Sequence, residues 1–121
     1  MATSAVGDTV TAGMVAFGME VHRLSALRGN AKAYFEFLRT QRLSAGLYVL
    51  PAAGIDGQKP HNEEEIYFVV SGRARFSNGV RDEIVNPGDI LFVSAKEPHR
   101  FHEISEELEL LVFFAPPEGT L

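Results

Sequence analysis

A chain of 121 residues, 45% apolar and 22% charged, has the size and make-up of one soluble globular domain, which excludes a largely disordered chain, a collagen and a coiled coil. The absence of cysteine removes disulfide frameworks, thiolate zinc sites, iron–sulfur clusters and cysteine nucleophiles, so any metal has to be held by His, Asp, Glu or backbone oxygen. With 11 basic against 16 acidic residues and a net charge of -5, the chain carries no electrostatic footprint for nucleic acid or for an anionic membrane.

Residues 1–13 are small and polar and predict a flexible N-terminal arm ahead of a single domain over 14–121. No basic residue precedes His22 and Arg23, and no segment reaches the ~18 uninterrupted apolar residues of a membrane span. The expected location is therefore cytoplasmic. Residues 14–24 are β-branched and aromatic enough for a strand. Residues 31–38 are ambiguous: Tyr34, Phe37 and Leu38 sit at helical spacing, while Phe35 and Phe37 alternate as in a strand, which predicts a short strand or a single turn.

From residue 43 short apolar runs alternate with clusters of Gly, Pro, Asn and Asp every 8–12 residues. That rhythm predicts an all-β sandwich or barrel. Asn78-Gly79 marks a tight hairpin, because this pair supplies the positive φ such turns need. Asn86-Pro87-Gly88-Asp89 is a second turn. Two strands are apolar on both faces. In 65–70, Tyr67 and Val69 lie with Glu65, and Ile66, Phe68 and Val70 lie opposite; in 107–115, Leu108, Leu110, Val112 and Phe114 oppose Leu111 and Phe113. A small protein with such strands needs a further layer, and a second copy of the chain in a homodimer is the expected one.

The candidate chemistry lies in four histidines, His22, His61, His99 and His102, and in the run of three glutamates after His61. Alternation puts His61, Glu63 and Glu65 on one side of an extended chain and leaves Glu64 solvated on the other. Carboxylates gathered on one face repel unless a cation or protons relieve them. Two imidazoles and one carboxylate would make a site for one divalent transition metal, iron, manganese, nickel or zinc, with open coordination positions. His102, three residues after His99, points to the opposite face of an extended strand, and His22 reads as structural. Arg73 and Arg75 share one face and read as cross-strand ion-pair partners.

Two stretches resemble the motifs of the cupin superfamily. In the first, His61 is followed by three residues, Glu65, six residues and Gly72. In the second, Pro87-Gly88-Asp89 leads into an apolar strand, then to Ser94-Ala95-Lys96 and Pro98-His99. The resemblance implies a double-stranded β-helix, a jelly-roll-like barrel of two antiparallel sheets with the metal inside. It implies His61, Glu65 and His99 as the metal ligands. Glu63 stays open as a second choice of carboxylate, since His61-x-Glu63 with a distant His99 also has the spacing of the facial triad in iron oxygenases. The chain departs from the motif at Lys59, which stands at the first histidine position and is no ligand; Gln58 or a water would fill that place. Ser94 and Lys96 stand where the pattern often has Pro and Gly. Lys59 and Tyr67 are candidates for the substrate pocket.

The function the resemblance implies is a metal-dependent enzyme, an oxidoreductase, isomerase or cyclase acting on a small organic substrate. A non-enzymatic module binding a small-molecule ligand, and a metal-free barrel doing acid–base chemistry with His99 and a glutamate, are the alternatives.

Overall fold

The computed structural model describes residues 18–30 and 33–121, and the arm expected over 1–13 lies outside them. In chain order the elements are a one-turn helix α1 (Leu24–Leu27) and six strands: β1 (Tyr34–Arg39), β2 (Ser44–Leu50), β3 (Glu64–Ser77), β4 (Asp82–Val85), β5 (Ile90–Val93) and β6 (Arg100–Ala115). The strand expected over 14–24 is not present in its described part. Residues 18–23 belong to no ladder, and Leu24 opens the helix. Of the ambiguous 31–38 stretch, residues 34–38 lie in β1, where Phe35 and Phe37 alternate onto one buried cluster.

All pairings are antiparallel, in the order β1-β2-β6-β3-β4, with β5 also on β3. The expected two sheets are thus one continuous sheet. The reason lies in β3 and β6, which pair with each other from Glu64↔Ala115 to Ser77↔Arg100. On its other edge β3 pairs first with β5, through Glu65↔Val93 to Phe68↔Ile90, and then with β4, through Ala74↔Val85 to Ser77↔Asp82. Two halves of a roll are stitched by the same two long strands.

Rolling requires the inward face to change parity. Along β3 the buried residues are Glu65, Tyr67 and Val69, then Ala74. The switch from odd to even coincides with register shifts between Val69 and Arg75. Gly72 sits inside that irregularity at φ +96°, and a Cβ there would run into the Glu107 carbonyl. On β6 the buried Phe101 gives way to Ile104 and then to Leu108, Leu110, Val112 and Phe114, with Glu103 at φ +47° at the change. The inward residues of both halves form one core, joined by Val85 and Val93 from the short strands.

A smaller cluster covers the outer face of β1 and β2: Leu27 and Leu24 of α1 pack on Phe35, Phe37, Ala45 and Leu47. The outer face of β5, β3 and β6 carries no such cover among the described residues. There Ile66, Phe92 and Phe113 stand in register and exposed. Among the described residues no helix is long and apolar enough to cross a membrane.

Candidate metal centre

Three segments bring the site together. β3 carries Glu65 on its inward face, the loop before it carries His61, and the loop between β5 and β6 carries His99. The two loops are tied by a backbone hydrogen bond, Lys96 N–H to the His61 carbonyl, at 2.6 Å. Lys96 makes it from φ +66°, the left-handed conformation that glycine favours. The turn that the motif builds with glycine is therefore made here by a lysine.

His61, Glu65 and His99 each offer a ligand atom within 4.8 Å of the others. Glu65 Oε1 lies 3.1 Å from His99 Nε2 and 3.6 Å from His61 Nδ1. Glu65 is 1% exposed, yet among the described residues neither of its carboxylate oxygens has a hydrogen-bond partner, and neither does the buried Nδ1 of His61. Buried polar atoms are ordinarily satisfied. Two unpartnered carboxylate oxygens and one unpartnered imidazole nitrogen meet here, and with His99 Nε2 they make a set of two nitrogens and a carboxylate that fits a first-row divalent metal.

The outer nitrogens of both rings are engaged. His99 Nδ1–H donates to the Glu97 carbonyl at 2.8 Å, which leaves Nε2 as its lone-pair atom. His61 Nε2 meets Glu118 Oε2 at 3.1 Å. A relay also approaches His99: the Gln58 amide N–H donates to the Tyr67 oxygen at 2.8 Å, and the Tyr67 hydroxyl donates to His99 Nε2 at 3.1 Å. Asp56 holds the far end, accepting from the Tyr48 hydroxyl at 2.7 Å and from the Phe101 backbone N–H at 2.9 Å.

Burial works against protonation of His99, but the nearby Glu65 carboxylate, 3.1 Å away, and the Glu97 carbonyl outweigh it, and its pKa moves up. Burial, with Glu65 and Asp56 nearby, pushes the Tyr67 phenol far above its ordinary range, and burial does the same for Tyr34 and Tyr48. These phenols stay protonated at neutral pH. Burial also lifts the Glu118 carboxyl, against a pull downward from His61.

The other residues singled out from sequence fall elsewhere. Glu63 is buried, but its Oε2 accepts the Leu121 backbone N–H at 3.0 Å and it stands outside the cluster. The Gln58 amide donates to Tyr67 at 2.8 Å and to Asp56 at 3.5 Å, and Gln58 shares the wall of the cavity on the His61 side. Lys59 is exposed. Tyr67 is fully buried, inside the hydrogen-bond network. His102 meets Asp82 at 3.0 Å, and Asp82 also takes Arg75 at 3.3 Å. Two cavities flank the centre. One of about 360 Å³ has His99 in its wall together with Phe76, Asn78, Arg81, Val93 and Glu97. The other, of about 140 Å³, lies on the His61 side against Tyr34, Tyr48, Phe114 and Glu118.

Sequence reasoning missed Asp56, Tyr34 and Glu118. Asp56 sits in an Asp-Gly step that reads only as a turn, and Glu118 in a Pro-Pro-Glu-Gly tail that reads only as an ending. Gly46 was the one available pointer to Tyr34: a Cβ there would overlap the Tyr34 ring, so the glycine lets that ring lie across β2.

Residues 46–114 match the family model for the cupin domain. The uncharacterised protein SCO3923 of Streptomyces coelicolor is 46% identical over 105 residues, covering 84% of this chain and 100% of its own. Among solved structures, TT1209 from Thermus thermophilus is similar at 26% identity and TM-score 0.66, over 82% of this chain and 99% of that one. The DMSP lyase DddQ from Ruegeria pomeroyi is similar at 29% identity and TM-score 0.59; the match covers 68% of this chain and spans 41% of the lyase.

Proposed function

The chain belongs to the cupin domain family, and from that membership and the His61, Glu65 and His99 cluster we propose that it is a metal-dependent enzyme acting on a small organic substrate. One observation carries the reading: the unpartnered oxygens of a buried glutamate face an unpartnered histidine nitrogen. Leaving a buried carboxylate without partners is costly, and a divalent cation removes that cost while adding chemistry.

His61 Nδ1, Glu65 and His99 Nε2 would hold the metal. Bound there, it would supply Lewis-acid or redox chemistry to an oxygen-bearing substrate at its open positions. The protein's own groups do the rest. The cavity beside His99 is of a size that takes a small organic molecule, and Asn78 and Arg81 give it polar handles. Tyr67 keeps its proton and, with no metal bound, gives it to His99 Nε2 in a hydrogen bond, a contact that metal binding would displace. Phe76 and Phe101 pack around Tyr67 and keep water from that side. One similar structure is a DMSP lyase, which adds lyase reactions to the oxidoreductase and isomerase reactions worth assaying.

The test is elemental analysis of purified, untagged protein. Near one equivalent of iron, manganese, nickel or zinc per chain is expected, and its loss in His99→Ala. No metal after reconstitution with each ion would overturn the reading. It would select a second one, supported by the Tyr67 hydroxyl occupying the His99 Nε2 lone pair: a metal-free barrel in which His99 and Glu65 do acid–base work.

The exposed row Ile66, Phe92 and Phe113 supports a homodimer formed through the outer face of β5, β3 and β6.

A further inference from the structure

We propose that Glu118, in the tail after β6, is a positioning residue that selects which nitrogen of His61 is offered to the metal; this rests on the metal reading above. His61 Nε2–H donates to Glu118 Oε2 at 3.1 Å. The proton is thereby held on Nε2, and Nδ1 keeps its lone pair. Nδ1 is the buried nitrogen without a partner, and it is the one 3.6 Å from Glu65. The two histidines solve the same problem in opposite senses. His99 parks its Nδ1 proton on a backbone carbonyl and offers Nε2; His61 parks its Nε2 proton on a carboxylate and offers Nδ1. A ligating imidazole whose other N–H is engaged by an acceptor is oriented, fixed in tautomer and made more basic.

The tail holds Glu118 in place independently of its side chain. The Glu118 backbone N–H donates to Ser44 Oγ at 3.0 Å, and its carbonyl accepts Arg39 at 3.1 Å. Further on, Leu121 is bonded to the Glu63 carboxylate and to the Asn62 amide, each at 3.0 Å. The tail is thus fastened to β1, β2 and the approach to β3, and the Glu118 carboxylate is aimed at His61 from that frame. Changing the carboxylate removes the orienting contact and leaves the fastening.

The experiment uses cobalt(II) added to metal-free protein, wild type against Glu118→Ala and Glu118→Gln. Two readouts are taken: the cobalt dissociation constant by competition, and the protonation pattern of the His61 ring in the metal-free chain by long-range proton–nitrogen NMR. Wild type is expected to bind one cobalt and to show a protonated Nε2 and a bare Nδ1. Glu118→Ala is expected to bind roughly 10- to 100-fold more weakly and to show a mixture of the two His61 tautomers. Glu118→Gln, which keeps a hydrogen-bond acceptor without the charge, is expected to fall between them. Should Glu118→Ala be poorly folded, the comparison of wild type with Glu118→Gln carries the same test. Wild-type binding that both variants reproduce within twofold, with His61 unchanged, overturns the role of Glu118 and leaves the metal reading standing. A wild-type chain that takes up no cobalt overturns both.

Discussion

Glu63 and Glu65 lie on the same side of the chain, two residues apart and both buried, and they meet opposite fates. Glu63 gives its Oε2 to the Leu121 backbone N–H at 3.0 Å, while both oxygens of Glu65 are without a hydrogen-bond partner among the described residues. Glu65, and not Glu63, stands in the cluster with His61 and His99. Glu65→Gln is expected to abolish metal retention, because an amide is a far weaker ligand than a carboxylate. Glu63→Gln is expected to keep the metal. It weakens the hold on the tail, costing about 1 kcal/mol of stability by loss of a charged acceptor. Metal per chain and a denaturant midpoint, measured on both variants, separate the two roles.

His102 provides the matched control for His99. Its ring meets Asp82 on the outer side of β6 and stands outside the cluster. His61→Ala and His99→Ala are each expected to lose the metal, and His102→Ala to keep a full equivalent, as read by elemental analysis. Loss of metal in His102→Ala would contradict the strand geometry.

Two backbone positions with positive φ respond in opposite directions to substitution. Gly72→Ala adds a methyl group against the Glu107 carbonyl at φ +96°. It is expected to cost more than about 2 kcal/mol, since clash and backbone strain add. Lys96 already bears the left-handed strain at φ +66° and is exposed. Lys96→Gly relieves it and is expected to stabilise by about 0.5 kcal/mol, the gain being reduced by the extra freedom glycine has when unfolded. Chemical denaturation of the two variants checks both signs.

The outer face of β2 and β6 has an acid-sensitive clamp. Arg28 just after α1 makes two 2.7 Å hydrogen bonds to the Glu109 carboxylate. That pairing, against some opposition from burial, holds the Glu109 carboxyl below the usual carboxylate range. A depressed carboxyl adds stability that is fully present above the unfolded-state pKa and is lost as pH falls through the folded-state one. Glu109→Gln is therefore expected to melt below wild type at neutral pH. The gap should close on acidification below the ordinary carboxylate range, as followed by thermal melts across pH. A gap of constant size would assign the effect to packing.

The exposed apolar row predicts association. Phe92 is 61% exposed and directly opposite Ile66, which in turn opposes Phe113. Phe92→Asp is expected to weaken self-association at least tenfold while leaving metal content unchanged. Sedimentation velocity over a concentration series reads this directly, and a wild-type chain that stays monomeric throughout would remove the homodimer.

The sequence by itself determined the all-β class and the turns at Asn78-Gly79 and Asn86-Asp89, and its resemblance to the cupin motifs offered His61, Glu65 and His99 as ligands with Glu63 left open. These are local matters: alternation says which side of a strand a residue faces, and Gly, Asn and Pro say where a strand must stop. The tertiary structure alone set Glu63 and Glu65 apart, because alternation places both on the same side and the donor that meets Glu63, the Leu121 N–H, is 58 residues away. It alone turned two expected sheets into one, since the parity change at Gly72 depends on how β3 lies against β6. The strand expected from residue 14 has, in its described part, no partner to pair with, and Leu24–Leu27 instead coils onto Phe35, Phe37 and Leu47. Glu118 had no local signal at all. A glutamate in a tail becomes an orienting group only when the closing of the barrel brings it to a histidine 57 residues earlier in the chain.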